Sequence, residues 1–364
     1  MTDDILHNIT NLPESLKSAR TPYYVIAGPC SAETEKQTVE TAVELQKIGI
    51  KVFRAGLWKP RTRPDGFEGV GNAGLKWLSR VKQETGMLLA TEVATREHVA
   101  AALDSGVDIV WIGARTSTNP FAVQEIADAL RDYPDTTVLV KNPVNPDIEL
   151  WIGAMQRIAL AGIKKIGAIH RGFSSYGNHI YRNTPQWRIA IELQRRLPNL
   201  SILCDPSHMG GNRELITPLS QQSLDMGFNG LFIEAHCCPE EALSDPNQQI
   251  TPAELSTLLN ALIIRRKQQS TDNLQSLRLQ IDQCDNELIE ILSKRMSISR
   301  EIGTFKKEHD MQVVQTDRYD EILKHRVAQA QEMGMSPTFM KSVMSVIHEE
   351  SVRQQLDILN DKSK

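Results

Sequence analysis

No apolar run in this chain of 364 residues reaches about 18 residues, so no transmembrane helix is expected. The N-terminus, MTDDILHNITNLPESL, lacks a basic start and an apolar stretch behind it, which excludes the pattern of a signal peptide. There is no excess of basic charge either. Asp and Glu number 45 against 41 Lys and Arg, a net charge of -4, which argues against general nucleic-acid binding but leaves room for local basic pockets. The cysteines at 30, 204, 237, 238 and 284 are few, odd in number and without framework spacing. Buried thiols or a metal ligand in a reducing cytoplasm fit them better than disulfides. The length itself favours two domains.

What the chain does have, after a leading segment of 20 residues too short for a domain, is a strand–helix alternation repeated eight times. The strand candidates are 23–28, 52–55, 87–92, 108–113, 137–141, 165–170, 201–205 and 230–235. They are β-branched and nearly continuous in apolar character, as parallel strands buried on both faces should be. Amphipathic helix patterns lie between them, among them 35–48, 122–132, 150–161 and 187–197. Eight such units in about 240 residues predict an α/β fold, a closed (β/α)8 TIM barrel. The alternative, an open doubly wound sheet, would place its ligand at one crevice and leave most strand ends unused.

The strand ends carry the chemistry. Cys30 follows the first strand; Arg54, Lys59 and Arg61 follow the second in FRAGLWKPRT; Glu92 ends the third; Arg115 follows the fourth in GART. Lys141 ends the fifth in VKNP, Arg171 follows His170 after the sixth, Asp205 and His208 follow the seventh in CDPSH, and Glu234 and His236 close the eighth, with Asp245 further on. In a barrel these ends converge on one rim. Any single one is as readily a solvated charge, but polar residues at all eight make a site the better reading. Cys30, His208, Glu234 and Asp245 form a candidate metal set. Their mixed sulfur, nitrogen and oxygen donors suit one divalent ion such as Mn, Fe, Co or Zn more than Mg or Ca. The cations Arg54, Lys59, Arg61, Arg115, Lys141 and Arg171 around them call for phosphate and carboxylate ligands, which guanidinium forks match.

The pattern changes at LIIRRKQQSTDN, a charged, glutamine-rich stretch without glycine. The domain reading is therefore 1–264 for the barrel, 265–273 for a linker and 274–364 for an all-helical module without strand signals. Its first helix is a coiled-coil seam in which Leu274, Leu277, Ile281, Cys284, Leu288, Ile291, Ile298, Ile302 and Phe305 recur by steps of three and four, with Arg295 at the remaining seam position. From Asp272 to Lys307 it would run roughly 50 Å at 1.5 Å per residue. A compact module of this size has a radius of gyration of only about 12 Å, so pairing with a second copy is expected. A second helix is expected near 317–333. A third, after Pro337, carries Ser351 and Gln355 inside its apolar stripe of Met340, Met344, Ile347 and Ile358. Polar groups there cost stability unless satisfied.

Read in order, AGPCS, KPRT, GART, KNP, HRGF, DPSH and ExHxxPxxALSD resemble 3-deoxy-D-arabino-heptulosonate 7-phosphate synthases, in the subgroup related to 3-deoxy-octulosonate 8-phosphate synthases, over about residues 20–264. The resemblance implies condensation of phosphoenolpyruvate with erythrose 4-phosphate at the head of the shikimate pathway of aromatic amino acid biosynthesis. It implies metal ligation by Cys30, His208, Glu234 and Asp245. Arg54, Arg115, Lys141 and Arg171 would grip phosphoenolpyruvate, with Lys141 also moving protons, and Lys59, Arg61 and Thr62 would position erythrose 4-phosphate. Glu92 would order water. The octulosonate 8-phosphate synthase, which takes arabinose 5-phosphate, is the rival reading; KPRT at 59–62 favours the four-carbon sugar. Cys237 and Cys238 read only as buried thiols.

The second resemblance, over about 272–358, rests on LRxxIDxxDxxLxxxLxxR, IGxxK, an Arg on the second helix and ESVxxQ, and is to the all-helical chorismate mutases. It implies an intertwined homodimer that converts chorismate to prephenate without a cofactor. Arg278 from the partner chain, Arg295 and Arg318 would bind the two carboxylates and Ser351 would assist. Lys306 and Gln355 would donate to the ether oxygen as charge develops there. The family's two carboxylates near the substrate hydroxyl are replaced by Gln315 and Tyr319, which puts that contact in doubt. That change also supports the competing view of the module as a dimerising ligand sensor. With residues 1–20 leaving no room for an N-terminal regulatory domain, the helical module is also the candidate allosteric element, with prephenate as effector. No nucleic-acid or membrane partner is expected, and the location is expected to be cytoplasmic.

Overall fold

The computed structural model describes the chain apart from residues 1–5, 7–8, 19, 61–65, 178–179, 266–271, 315 and 361–364; inside the helices the side chains of 272–273, 316–319 and 321 are also left undescribed. It divides into two compact units, Met1–Lys267 and Gln268–Lys364.

The first unit is a closed barrel of eight parallel strands, each paired with its chain neighbour and the last with the first. The strands are β1 (Tyr24–Gly28), β2 (Val52–Arg54), β3 (Leu88–Val93), β4 (Ile109–Ile112), β5 (Thr137–Lys141), β6 (Lys165–His170), β7 (Ser201–Cys204) and β8 (Gly230–Glu234). Closure pairs Gly28 with Glu234, and excludes the open sheet. Strand alternation sorts the side chains into two cores. Tyr24, Ile26, Trp111, Leu139, Leu203 and Phe232 fill the barrel interior, while Val25, Phe53, Val110, Val138, Ile202 and Ile233 face outward under the helices. Burial on both faces explains the unbroken apolar strands of the sequence.

Nine helices of this unit are described: α1 (Glu35–Lys47), α2 (Ala73–Thr85), α3 (Arg96–Asp104), α4 (Pro120–Leu130), α5 (Ile148–Leu160), α6 (Trp187–Arg196), the short α7 (Pro206–Gly210), α8 (Ile216–Asp225) and α9 (Pro252–Ala261). Most begin at a side chain that accepts from a first-turn amide. Thr34 caps α1, Asn119 caps α4 ahead of Pro120, Asp147 caps α5, and Thr251 with Glu254 forms a capping box on α9. The leading segment has a structural task. Leu12 and Leu16 plug the barrel interior from below, and Tyr24 Oη donates to the Leu12 carbonyl at 2.5 Å.

The second unit has three described helices: α10 (Asp272–Glu308), α11 (Thr316–Glu332) and α12 (Pro337–Asn360). Both α10 and α11 pack on α12. Among the described residues of this unit the apolar seam of the first half of α10 finds little cover: Leu277, Ile281, Leu288 and Ile291 are all more than half exposed. All five cysteines are free, and the expectation of buried thiols needs correcting. Cys30 and Cys204 are buried, Cys237 and Cys238 are half-buried, and Cys284 lies on the exposed α10 seam. Among the described residues no helix is long and apolar enough to cross a membrane.

Candidate active sites

The C-terminal strand ends deliver the four candidate ligands to one point. Sγ of Cys30, a ring nitrogen of His208 and carboxylate oxygens of Glu234 and Asp245 all lie within 4.8 Å of one another. Sγ is 3.5 Å from Asp245 Oδ2, and His208 Nε2 is 3.6 Å from Glu234 Oε1. Metal–ligand bonds of about 2.0–2.3 Å in a tetrahedral site place donors roughly 3.3–3.7 Å apart, so the set fits a small divalent ion. The backbone agrees. Asp245 is held at φ 51°, ψ 49°, a left-handed conformation that a non-glycine residue keeps only when its surroundings impose it.

Electrostatics favour ligation. Burial, with Glu234 next to it, pushes the Cys30 thiol up to about 12 against the pull of Lys59; coordination to a cation ionises a thiol outright. Burial lowers the His208 ring, which keeps it neutral and available as a donor. Burial alone would raise the carboxyls of Glu234 and Asp245, but their neighbours, His208 and then Arg54 for the first and Arg182 for the second, hold both low. His208 Nδ1 lies 2.8 Å from Asp205 Oδ2, an ion-pair distance without hydrogen-bond alignment.

A ring of cations surrounds this cluster. Lys59, Arg115, Lys141, Arg171 and Arg182 line one pocket together with Glu92, His208 and Asp245. Lys59 Nζ donates to Cys30 Sγ at 3.1 Å and to its carbonyl at 3.0 Å. Burial would lower this lysine, yet Cys30, Glu92 and Glu234 raise it on balance, so it stays charged. Lys141 Nζ donates to Asp205 Oδ2 at 2.8 Å. Burial depresses Lys141 although Asp205 opposes the shift, a condition that suits proton transfer. Arg171 donates from Nη1 to Asn183 Oδ1 at 2.6 Å, and burial lowers it to about 10. Its backbone N–H donates to Asn142 Oδ1 at 2.7 Å, which gives the Asn of KNP a structural role. Glu92 accepts from Trp111 Nε1 at 3.1 Å. Gly113 makes room for it, since a Cβ there would lie 2.0 Å from Glu92 Oε1.

Arg54 is placed differently from the other cations. It is fully buried behind Glu234, to which Nη2 donates at 3.1 Å, and it does not line the pocket. Its Nε and Nη1 are buried without a partner among the described residues, which leaves two donors for an anion or water. Arg61 and Thr62 lie outside the described residues. Sequence reasoning missed Arg182, Asn183, Gln248 and Gln249. Gln249 Oε1 accepts from the Cys30 amide at 2.9 Å while its Nε2 donates to the Ser244 carbonyl at 2.8 Å. These residues come from loops whose sequence has no periodicity, and only their nearness to HRGF and ALSD pointed to them.

The helical unit has its own pocket, lined by Arg295, Ser299, Lys306, His348, Ser351 and Gln355 among apolar Ile298, Ile302, Ile322 and Val352. The first half of α10 does not reach it. Arg295 Nη1 donates to Ser351 Oγ, which donates in turn to the Ile347 carbonyl at 2.8 Å. Lys306 Nζ donates to the Val313 carbonyl at 2.6 Å, and Gln355 Nε2 to Ser299 Oγ at 3.2 Å. Burial lowers both Arg295 and Lys306. Arg278 is exposed on the first half of α10, away from this pocket. The side chains of Arg318 and Tyr319, and Gln315 altogether, lie outside the described residues. Ser299 and His348 are pocket residues that the motif reading did not include.

A closed barrel whose C-terminal rim gathers four metal-type donors inside a wall of cations defines a barrel enzyme for anionic substrates. The sequence model of the DAHP synthetase I family matches residues 11–271, and that of chorismate mutase type II matches residues 277–356. The chain belongs to the DAHP synthetase I family and, later in its sequence, carries a chorismate mutase type II domain. Phospho-2-dehydro-3-deoxyheptonate aldolase of Thermotoga maritima is 36% identical over 228 residues, 63% of this chain; the chain spans 65% of that relative's length. 2-Dehydro-3-deoxyphosphooctonate aldolase of Wolinella succinogenes is 28% identical over 268 residues, 66% of this chain and 97% of the relative. The crystal structure of the Thermotoga maritima phospho-2-dehydro-3-deoxyheptonate aldolase (DAHP synthase) aligns with a TM-score of 0.59 at 34% identity, over 66% of this chain and 68% of that one.

Proposed function

We propose that the barrel condenses phosphoenolpyruvate with erythrose 4-phosphate to 3-deoxy-D-arabino-heptulosonate 7-phosphate, and that the helical unit rearranges chorismate to prephenate, both in the cytoplasm on the shikimate pathway. The observation that carries the first activity is the cation ring closed around Cys30, His208, Glu234 and Asp245. A divalent cation (Mn, Fe, Co or Zn) held by those four supplies Lewis acidity toward the aldehyde. Arg115, Lys141 and Arg171 bind the phosphate and carboxylate of phosphoenolpyruvate, and Arg54, behind the pocket wall with Nε and Nη1 unpartnered among the described residues, adds its charge to that grip. Lys59, with Arg61 and Thr62, positions the sugar phosphate. C3 of the enol phosphate attacks the aldehyde, water adds at C2, and inorganic phosphate leaves from the resulting hemiketal to give the 2-keto product; Lys141, bonded to Asp205, moves protons in these steps, and Glu92 orients water. The octulosonate alternative is less favoured, because identity to the heptonate aldolase is 36% against 28% for the first octonate relative.

In the helical unit the carrying observation is that cations and amide donors converge in an otherwise apolar pocket. Arg295, Arg318 and the partner's Arg278 hold the two carboxylates, with Ser351 fixing Arg295. Lys306 and Gln355 donate to the ether oxygen, and such donors aimed at developing charge accelerate a reaction that has no covalent step. No cofactor takes part. The bare apolar half of α10 supports a homodimer, because an exposed surface of that kind is closed by association. The domain reading of 1–264, 265–273 and 274–364 goes with this, as does feedback by prephenate on the barrel. Purified protein given phosphoenolpyruvate with each aldose phosphate, and separately chorismate, tests both activities. Failure to convert chorismate would leave the helical unit as a dimerising sensor. If prephenate does not slow condensation by the full-length chain, or slows a chain cut near Ile264 equally, the feedback reading is wrong.

A further inference from the structure

We propose that Arg182 and Gln248 are positioning residues that aim both carboxylates of the four-donor cluster, Glu234 jointly with Arg54, so that its hold on a divalent cation is set in part by one Arg182 nitrogen. This rests on the metal reading above. Arg182 Nη1 donates to Asp245 Oδ1 at 3.0 Å and to Gln248 Oε1 at 2.6 Å. Gln248 Nε2 then donates to Glu234 Oε2 at 2.6 Å. In each carboxylate the oxygen bound by this chain is not the one in contact with the other candidate ligands. The other, Asp245 Oδ2 or Glu234 Oε1, faces Cys30 Sγ or His208 Nε2.

The arrangement has one orientation. Gln248 is 1% exposed, and only with its carbonyl toward the guanidinium and its amide toward the carboxylate are both bonds made. Asp245, in its left-handed conformation, needs such a tether to stay aimed. Arg182 is half-exposed, but its backbone is anchored beside the ligand helix α7. Its amide donates to the Gly210 carbonyl at 3.3 Å, and the Asn183 side chain donates to the His208 carbonyl at 2.6 Å. Gly211, at φ 71°, permits this approach: a Cβ there would lie 2.6 Å from that of Arg182.

Groups that hold metal ligands in place are worth about 10–100-fold in metal affinity. The test strips the full-length protein of metal and titrates Mn2+ against a chelating dye for wild type, Arg182→Met, Arg182→Lys, Gln248→Leu and the double variant, with circular dichroism as the check on folding. Arg182→Met and Gln248→Leu should each weaken Mn2+ binding about 10–100-fold. The double variant should be little worse than the worse single, because both act through one nitrogen. Arg182→Lys should be intermediate, since an ammonium keeps the Asp245 contact but cannot fork to Gln248 as well. Folded variants with unchanged Mn2+ affinity and a raised KM for phosphoenolpyruvate would make Arg182 an anion contact and overturn the assignment. A wild-type protein that takes up no Mn2+, Fe2+, Co2+ or Zn2+ would overturn the metal reading itself, and this inference with it.

Discussion

Arg54 Nη2 lies 3.1 Å from Glu234 Oε1 inside the barrel, with both side chains withdrawn from solvent. The guanidinium carbon lies 4.4 Å from the ring centroid of Phe232 and 5.0 Å from that of Trp111, within cation–π range of both. Removing one partner of a buried pair leaves the other charge uncompensated, at a cost of about 3–5 kcal/mol. Arg54→Met should therefore lower the unfolding free energy of the metal-free protein by that amount, with part recovered on adding divalent metal. Denaturant curves with and without metal measure it; curves that superimpose on wild type would show that the pair carries no such weight.

Cys30→Ser should abolish condensation and weaken metal binding while chorismate conversion continues, because the described lining of the helical pocket comes from the helical unit. A chelator should divide the two activities the same way. Metal content and condensation rate close to wild type in the variant would remove Cys30 from the ligand set. Equal loss of both activities on chelation would contradict two independent sites.

Lys306→Ala deletes a buried charged donor from the helical pocket. Loss of a donor to a developing oxyanion costs about 10²–10³ in rate, so kcat for chorismate should fall by that factor with the helices intact by circular dichroism. A rate within a few-fold of wild type would favour the sensor.

His170 gives the barrel a pH dependence. Burial among Trp151, Phe173, Trp187 and Phe228 pushes its ring down to about 3, and Nε2 donates to the Pro185 carbonyl at 2.7 Å. The unfolded chain takes up a proton near pH ~6.5 that the folded chain refuses. The stabilisation is thus whole above about pH 6.5 and declines as the pH falls toward 3, by about 1.4 kcal/mol per unit. Unfolding measured from pH 4 to 7 should show a shallower slope, by about that amount, in His170→Phe. Parallel slopes would mean that His170 titrates normally.

The barrel was legible because each strand is buried twice over and so reads as a continuous apolar run; Val138, Leu139 and Val140 have no solvent face to mark with a polar residue. The four-donor cluster was legible because strand ends converge in any closed barrel, so Cys30 and Asp245 could be grouped although 215 residues separate them. Arg182 and Gln248 were not, because a loop residue's direction depends on tertiary bonds such as the Arg182 amide to Gly210. Arg54 showed as a cation at a strand end, but nothing in FRAG says that the side chain turns inward to Glu234. In the helical module Arg295 and Gln355 stood out as polar interruptions of apolar stripes; Ser299 and His348 were missed for want of any such contrast.

The uncovered seam on the first half of α10 has a consequence for how the two activities scale. If that seam closes only against a second copy, and the partner's Arg278 completes the helical pocket, the rearrangement obeys mass action in the protein itself. Below the dissociation constant of the dimer each further dilution would strand half-built pockets, and turnover per chain would fall. If condensation at Cys30 and its neighbours draws on a single chain, it would keep its turnover per chain, and the ratio of the two products would then report how much of the protein is paired.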